Sequence, residues 1–242
     1  YHAYLRDSFA QTLARGRMDV DRQAYRPAVV YLNGQYWGLY ELREKMDEDY
    51  VENNYGLEED QFDFLEKNFR VMNGTDVAFR DFYNFIKAVN ITQSAAYAQV
   101  RERMDVDEFM NYLIIETFSA NTDWGRNNVR YWDDYGTAYR WRWAMHDLDF
   151  SFFVRNANKD MFAYGFSTGN PMGFIAKKLW DNTTYRYEFS QRYAAHLNTT
   201  LSAARINSLL DSMAAGIRIR ILLDRNKGAY TYSLTAWETW DK

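Results

Sequence analysis

The 242-residue sequence has no cysteine, two prolines and three histidines. Without cysteine there are no disulfides, cysteine nucleophiles or thiolate metal sites, and the cellular compartment stays open. His2, His146 and His196 have no metal-ligand spacing, so a zinc-type site has no source of nitrogen ligands. No apolar run approaches the length of a membrane span. No basic run or stripe accompanies the net charge of −4, which argues against a nucleic-acid binder. No secretory signal, internal repeat or low-complexity linker is visible.

The chain is 47% hydrophobic and 26% charged, enough for a sizeable core and against disorder. Its 20 Tyr, 16 Phe and 8 Trp would fill that core and its rim, with a sugar-binding surface as the rarer use of such rings. The opening YHAYLRDSFAQTLARG keeps Leu5, Phe9 and Leu13 at helical spacing from the start. The sequence thus begins as if inside a folded region, and an N-terminal part of the domain is expected to precede it.

Two strand-like runs flank Asn33-Gly34, a strong hairpin signal. Arg43, Glu44 and Lys45 lead into a connector and short helix, MDEDYVENNYG. A helix follows with Phe82, Phe85, Ile86 and Val89 on one face. In the clearest helix, Asp105 and Glu108 form a capping-box pattern, and Val106, Phe109, Met110, Leu113, Ile114 and Phe118 form the apolar stripe. A second hairpin runs from VRYW through a turn near Asp134-Tyr135-Gly136 to YRWRWAM, ending at HDLDF. FSTGNPMG (166–173) reads as a loop. Phe189, Tyr193 and Leu197 mark one later helix, and Ile206, Leu209, Leu210, Met213 and Ile217 another. The class is α+β.

Between the clearest helix and the second hairpin lies NTDWGRNN (121–128), which holds more polar groups than a turn requires. In an antiparallel pair, the start of the first strand and the end of the second share one open end. Asp123, Asn127 or Asn128, Asp147 and Asp149 should therefore meet there. Asp147 and Asp149 would lie on one face if the strand persists, with Leu148 on the other. All these ligands are hard oxygens, suited to Mg²⁺, Mn²⁺ or Ca²⁺. Each piece alone is ordinary: Asp-x-Asp at a strand end is commonly a solvated turn, and Asn-rich loops satisfy their own backbone. Their convergence across one hairpin favours function.

The step from Asp123 to Asn128 is the D-x-x-x-x-N interval of the protein-kinase catalytic loop, followed by a hairpin and a further metal-binding aspartate. Such an aspartate positions an acceptor hydroxyl, while the asparagine and later aspartate hold the cation. The departures are large. Thr122 stands before Asp123 in place of H-R-D, Asp147-Leu148-Asp149-Phe150 replaces D-F-G, and no G-x-G-x-x-G occurs. This is not an ordinary protein kinase.

These residues resemble the spore-coat CotH family of atypical, secreted kinase-like proteins. YLNGQYWGLYELREKMD (31–47) is similar to its N-G-x-x-x-G-x-Y hairpin and following glutamate segment. NTDWGRNN and WRWAMHDLDFSF are similar to its N-x-D-W-x-x-N-N and W-D-L-D-F blocks, with His146 where Trp is usual, and LRDSFAQTLA is similar to its leading helix. The resemblance implies a protein-kinase-like two-lobe architecture, with a small antiparallel sheet lobe, N-terminally incomplete, and a mainly helical large lobe. Residues 1–242 would be one domain, 1–47 the remnant of the small lobe and connector, and 48–242 the large lobe with its catalytic hairpin at 121–150. It implies ATP with Mg²⁺ or Mn²⁺, Ser/Thr acceptors on proteins, and a bacterial extracellular, envelope or spore-coat setting. Asp123 would be the catalytic aspartate, Asp147 the metal aspartate with Asn128 its partner, Asp149 a second carboxylate, and Glu44 a nucleotide contact on the connector from Arg43 to Asp47. The strand carrying an ATP-binding lysine would precede Tyr1, since Lys45 sits after the sheet. A non-catalytic adhesin or carbohydrate- or protein-binding module is the rival reading, and a metal-dependent hydrolase a weaker third.

Overall fold

The computed structural model describes residues 5–225 apart from 126, 138–139, 154–155 and 167–168. Tyr1 and His2, Arg126 of the Asn-rich loop, Tyr139 of the second hairpin, and Ser167 and Thr168 of the FSTGNPMG segment lie outside the described residues.

The fold is α+β, with small antiparallel sheets among helices. Helix α1 (Arg6–Ala14) precedes strands β1 (Tyr25–Leu32) and β2 (Gln35–Arg43), which form a two-stranded sheet. Asn33 and Gly34 both take positive φ (50° and 79°), the twist that a two-residue hairpin turn demands. Helix α2 (Glu48–Tyr55) ends on Gly56 in the left-handed conformation. Strands β3 (Phe62–Glu66) and β4 (Arg70–Asn73) follow, then helices α3 (Val77–Ala88), α4 (Ser94–Arg103) and α5 (Val106–Phe118). After β5 (Val129–Asp134) and β6 (Arg142–Met145) come α6 (Met161–Phe166), α7 (Pro171–Trp180), α8 (Thr183–Asn198) and α9 (Ala203–Arg225).

The larger sheet has strand order β4-β3-β5-β6, antiparallel throughout. Side chains alternate across it. Leu65, Val129, Tyr131, Trp143 and Met145 face the main core, built with α3, α5, α7 and α8, while Phe62, Phe64, Trp132 and Ala144 face a smaller cluster with Met46, Tyr50 and Val51. β3 and β4 are elements that the sequence reading left unassigned. β3 is the inner strand between β4 and β5, and its five residues FDFLE are all buried, Asp63 and Glu66 included, so its charges do not mark a solvent face.

Two other expectations change. The Asp105 carboxylate does accept the Glu108 N–H (3.2 Å), but Glu108 does not return the bond; its side chain is buried and accepts the Trp143 N–H instead (3.0 Å). The capping box is half made because sheet docking takes the glutamate. The expected loop at 166–173 shrinks as well: Phe166 closes α6, and Asn170 caps α7 by accepting from Gly173 N–H (2.8 Å), with Pro171 at the first helical position, where its missing N–H costs nothing.

Candidate functional site

The β5–β6 hairpin determines what meets at its open end. Val129 pairs with Met145, so the residues just before β5 and just after β6 are neighbours. Asn128 donates from Nδ2 to Asp123 Oδ2 (3.0 Å) and to the Asp147 carbonyl (3.4 Å), and Asn127 donates to Asp123 Oδ1 (2.9 Å). Each oxygen of Asp123 is thereby fixed by one amide.

The strand does not persist to Asp147 and Asp149, contrary to the expectation of one strand face. It stops at Met145, and Asp147 takes φ 56°. The two aspartates come together through this turn, and their carboxyl groups hydrogen-bond each other. Burial, then the neighbouring charge of Asp149, raises the pKa of Asp147, with Asp7 and Asp123 adding to it. Burial also raises Asp149, while the hydrogen bond from Asp147 acts against that rise. Two carboxyl groups held this close cannot both ionise cheaply without positive charge nearby. Among the described residues, no group of three or more His, Cys, Asp or Glu side chains is arranged to hold a metal ion by itself.

Backbone strain collects here. Of the seven described non-glycine residues with positive φ, four (Ala120, Asn128, Asp147 and Phe152) bracket this site. Such conformations persist where the surroundings over-determine them. The surroundings are visible: Phe152 N–H bonds the Ser119 carbonyl (2.7 Å), Ser151 Oγ bonds Ser119 Oγ (3.1 Å), and Tyr164 OH bonds the Thr122 carbonyl.

The loop is anchored from within. Trp124 is buried and donates from Nε1 to Tyr112 OH of α5 (3.0 Å). On its other side, Gly165 of α6 lies so close that a Cβ there would overlap the indole ring. Asn121 is fully buried; it donates to Glu116 Oε2 (2.9 Å) and accepts the Asp123 N–H (3.1 Å). Burial pushes the Glu116 carboxyl up to about 8, so it sits protonated beneath the loop at neutral pH.

Helix α1 brings a residue that the sequence reading did not single out. Asp7, in the LRDSFAQTLA block, is paired with Arg43 at the end of β2 and receives Gln11 Nε2 (3.3 Å), which also reaches the Met145 carbonyl (3.2 Å). The leading helix is thus tied to the strand that delivers Asp147. Nothing in the spacing of a single Asp on an amphipathic helix distinguishes it from a solvated charge. Glu44 lies apart from this group: its two oxygens accept the Ala24 N–H (3.0 Å) and Asn54 Nδ2 (2.8 Å), bracing the connector against α2. Lys45 is exposed and pairs with the buried Asp47.

A family model described as CotH kinase protein matches residues 2–241. The chain belongs to the CotH family. Membership covers all three sequence blocks and the leading helix, and it carries the association of this kinase-like family with the spore coat. No curated protein matches the chain. No helix among the described residues is long and apolar enough to cross a membrane.

Proposed function

We propose that this CotH-family chain is a metal-dependent ATP:protein Ser/Thr phosphotransferase acting on coat, envelope or secreted proteins, with residues 1–47 serving as small lobe and connector and 48–242 as the large lobe of a kinase-like architecture. The observation that carries this reading is the pairing of an amide-fixed aspartate, Asp123, with an Asp147–Asp149 carboxyl pair at the open end of one hairpin.

Asp123 receives the proton of the Ser or Thr hydroxyl as the hydroxyl oxygen bonds to the γ-phosphorus and the bond to the β-phosphate oxygen breaks. Asn127 and Asn128 hold its two oxygens in place, so positioning supplies much of the rate. Asp147, Asn128 and Asp149 would hold Mg²⁺ or Mn²⁺, which supplies positive charge to the phosphate oxygens when bound. The donor set fits: one or two carboxylates with an amide oxygen suffice when nucleotide phosphates complete the shell, and Mg²⁺ usually binds in this way. Burial raises the pKa of both carboxyl groups, the charge of Asp149 adds to the rise at Asp147, and a cation held between them would favour their ionised forms. A Ca²⁺ cage of many protein oxygens fits less well. Glu44, whose oxygens also brace the connector through Ala24 and Asn54, would contact the nucleotide from the connector beside which its base lies.

Calorimetric titration with ATP, with and without Mg²⁺ or Mn²⁺, tests this reading on the wild type and on Asp147→Ala. Metal-dependent binding lost in the variant supports it; metal-independent binding equal in both proteins rejects it. A non-catalytic binding module is the second reading, favoured by the exposed Tyr31 (62%), Trp37 (53%) and Tyr40 (48%) on the β1–β2 sheet. It expects partner binding that survives Asp123→Ala.

A further inference from the structure

The opposite, turn end of the β5–β6 hairpin also carries chemistry. A cavity of about 610 Å³ opens there between α3, the end of α4 and the sheet, within the size range of small-molecule sites. Asp63 and Trp141 belong to its deep side, Tyr135 is half-buried at its wall, and Asp81 and Arg103 form an ion pair (3.0 Å) at its rim. Along β5, Asp133, which pairs with Asp63, lies four residues from Val129 at the candidate active site, roughly 13 Å at about 3.3 Å per residue.

The polar groups there are matched to a particular class of ligand. Asp63 is buried, and its Oδ1 already accepts Tyr135 OH (2.8 Å) and Thr75 N–H (2.5 Å), which fixes the wall in place without any ligand. Trp141 is fully buried and backs the cavity as part of its deep apolar wall. Arg103 offers further donors, while Asp81, 77% exposed at its side chain, offers acceptors to anything entering. The two aspartates against one arginine leave the lining negative, which repels phosphates and carboxylates. A simple cation would satisfy Asp81 but bring no acceptor for Arg103. A hydroxyl both donates and accepts, and a ring bearing several hydroxyls also presents C–H faces to an aromatic wall such as Tyr135.

We propose that this cavity is a saccharide-binding site, taking a neutral mono- or disaccharide between Tyr135 and the Asp81–Arg103 pair. It stands on residues separate from Asp123 and Asp147 and does not depend on the phosphotransferase reading. Its position on the same rigid hairpin would let a glycosylated surface or glycoprotein be held while the other end remains open.

The test is ligand-observed NMR and calorimetry with methyl β-glucoside, methyl β-N-acetylglucosaminide, cellobiose and chitobiose on the full chain. At least one should bind at millimolar or lower concentration. Asp81→Ala should weaken that binding roughly tenfold or more. Val77→Trp should weaken it similarly, because Val77 is an exposed residue of the lining (69%) and a larger ring there fills the entrance. Asp147→Ala should leave it unchanged. Both cavity substitutions are at exposed positions, so circular dichroism should show folded proteins. The proposal is overturned if none of the four saccharides binds, if binding ignores both cavity substitutions, or if arginine methyl ester binds in their place.

Discussion

The two ends of the β5–β6 hairpin each hold a pair of aspartates, and the pairs are held by different partners. At the turn end, Asp133 accepts the Asp63 N–H (2.9 Å) and Asp63 accepts from the Thr75 N–H and the Tyr135 hydroxyl, so these carboxylates tie the strand ends to the turn. At the open end, Asp147 and Asp149 bond each other. The composition of the two pairs is the same. What differs is the partner: at the turn end the carboxylates accept from N–H and O–H groups, although one buried Asp133 oxygen has no partner among the described residues, whereas at the open end the two carboxyl groups face each other.

Substitutions at the two ends should separate these roles. The largest expected effect is at the open end: Asp123→Asn should cut phosphoryl transfer by about 10²–10⁴-fold while metal-dependent ATP binding persists. Asp133→Asn, by contrast, should leave both activities near wild type. Radiolabel transfer to a casein-type Ser/Thr acceptor, alongside calorimetry, would read out the difference; equal losses at both ends would break the distinction.

Next in size is the loop's anchor. Trp124→Ala removes a buried ring and its bond to Tyr112, and should cost about 3–5 kcal/mol of stability in urea unfolding. Gly165→Ala drives a methyl into that ring and should cost about 1–3 kcal/mol.

Glu116 gives a pH signature. Its folded-state proton is held up to pH about 8, against 4.5 ordinarily. The unfolded chain releases that proton first, so the stabilisation is complete below about pH 4.5 and is lost as pH rises towards 8. Glu116→Gln keeps an acceptor for Asn121 without the titration. The variant should therefore gain stability over wild type as pH rises from 5 to 8, by at most about 1.4 kcal/mol per unit, in denaturation series at fixed salt. A difference independent of pH would mean that Glu116 is ionised in the fold. Smallest of all, Asp81→Ala should change stability by less than about 1 kcal/mol, since both partners of its ion pair with Arg103 are solvent-screened.

Much of this architecture can be read from local pattern. The Asn33-Gly34 hairpin, α1, α3 and α5, and the convergence across β5–β6 each follow from periodicity or from turn chemistry. β3 is hidden because its Asp63 and Glu66 are buried along with its apolar residues, so the charges in this short run read as surface when they are not. The half-made capping box and the turn at Asp147 escape for a different reason. Tertiary contacts, Trp143 N–H in one case and the clamp around Ser119 and Phe152 in the other, override what the local residues favour. Asp7 was invisible because its role depends on Arg43, 36 residues away.

The packing of Trp124 against Gly165 also has an evolutionary consequence. The segment that bears Asp123 and the helix that bears Gly165 are separated in sequence but share one steric slot. A descendant could therefore enlarge residue 165 only after shrinking residue 124, and a chimera that exchanged the 121–128 segment alone for one with a different ring would misfit its host. These two positions are expected to be inherited as a unit, changing in step across lineages even where the residues between them drift.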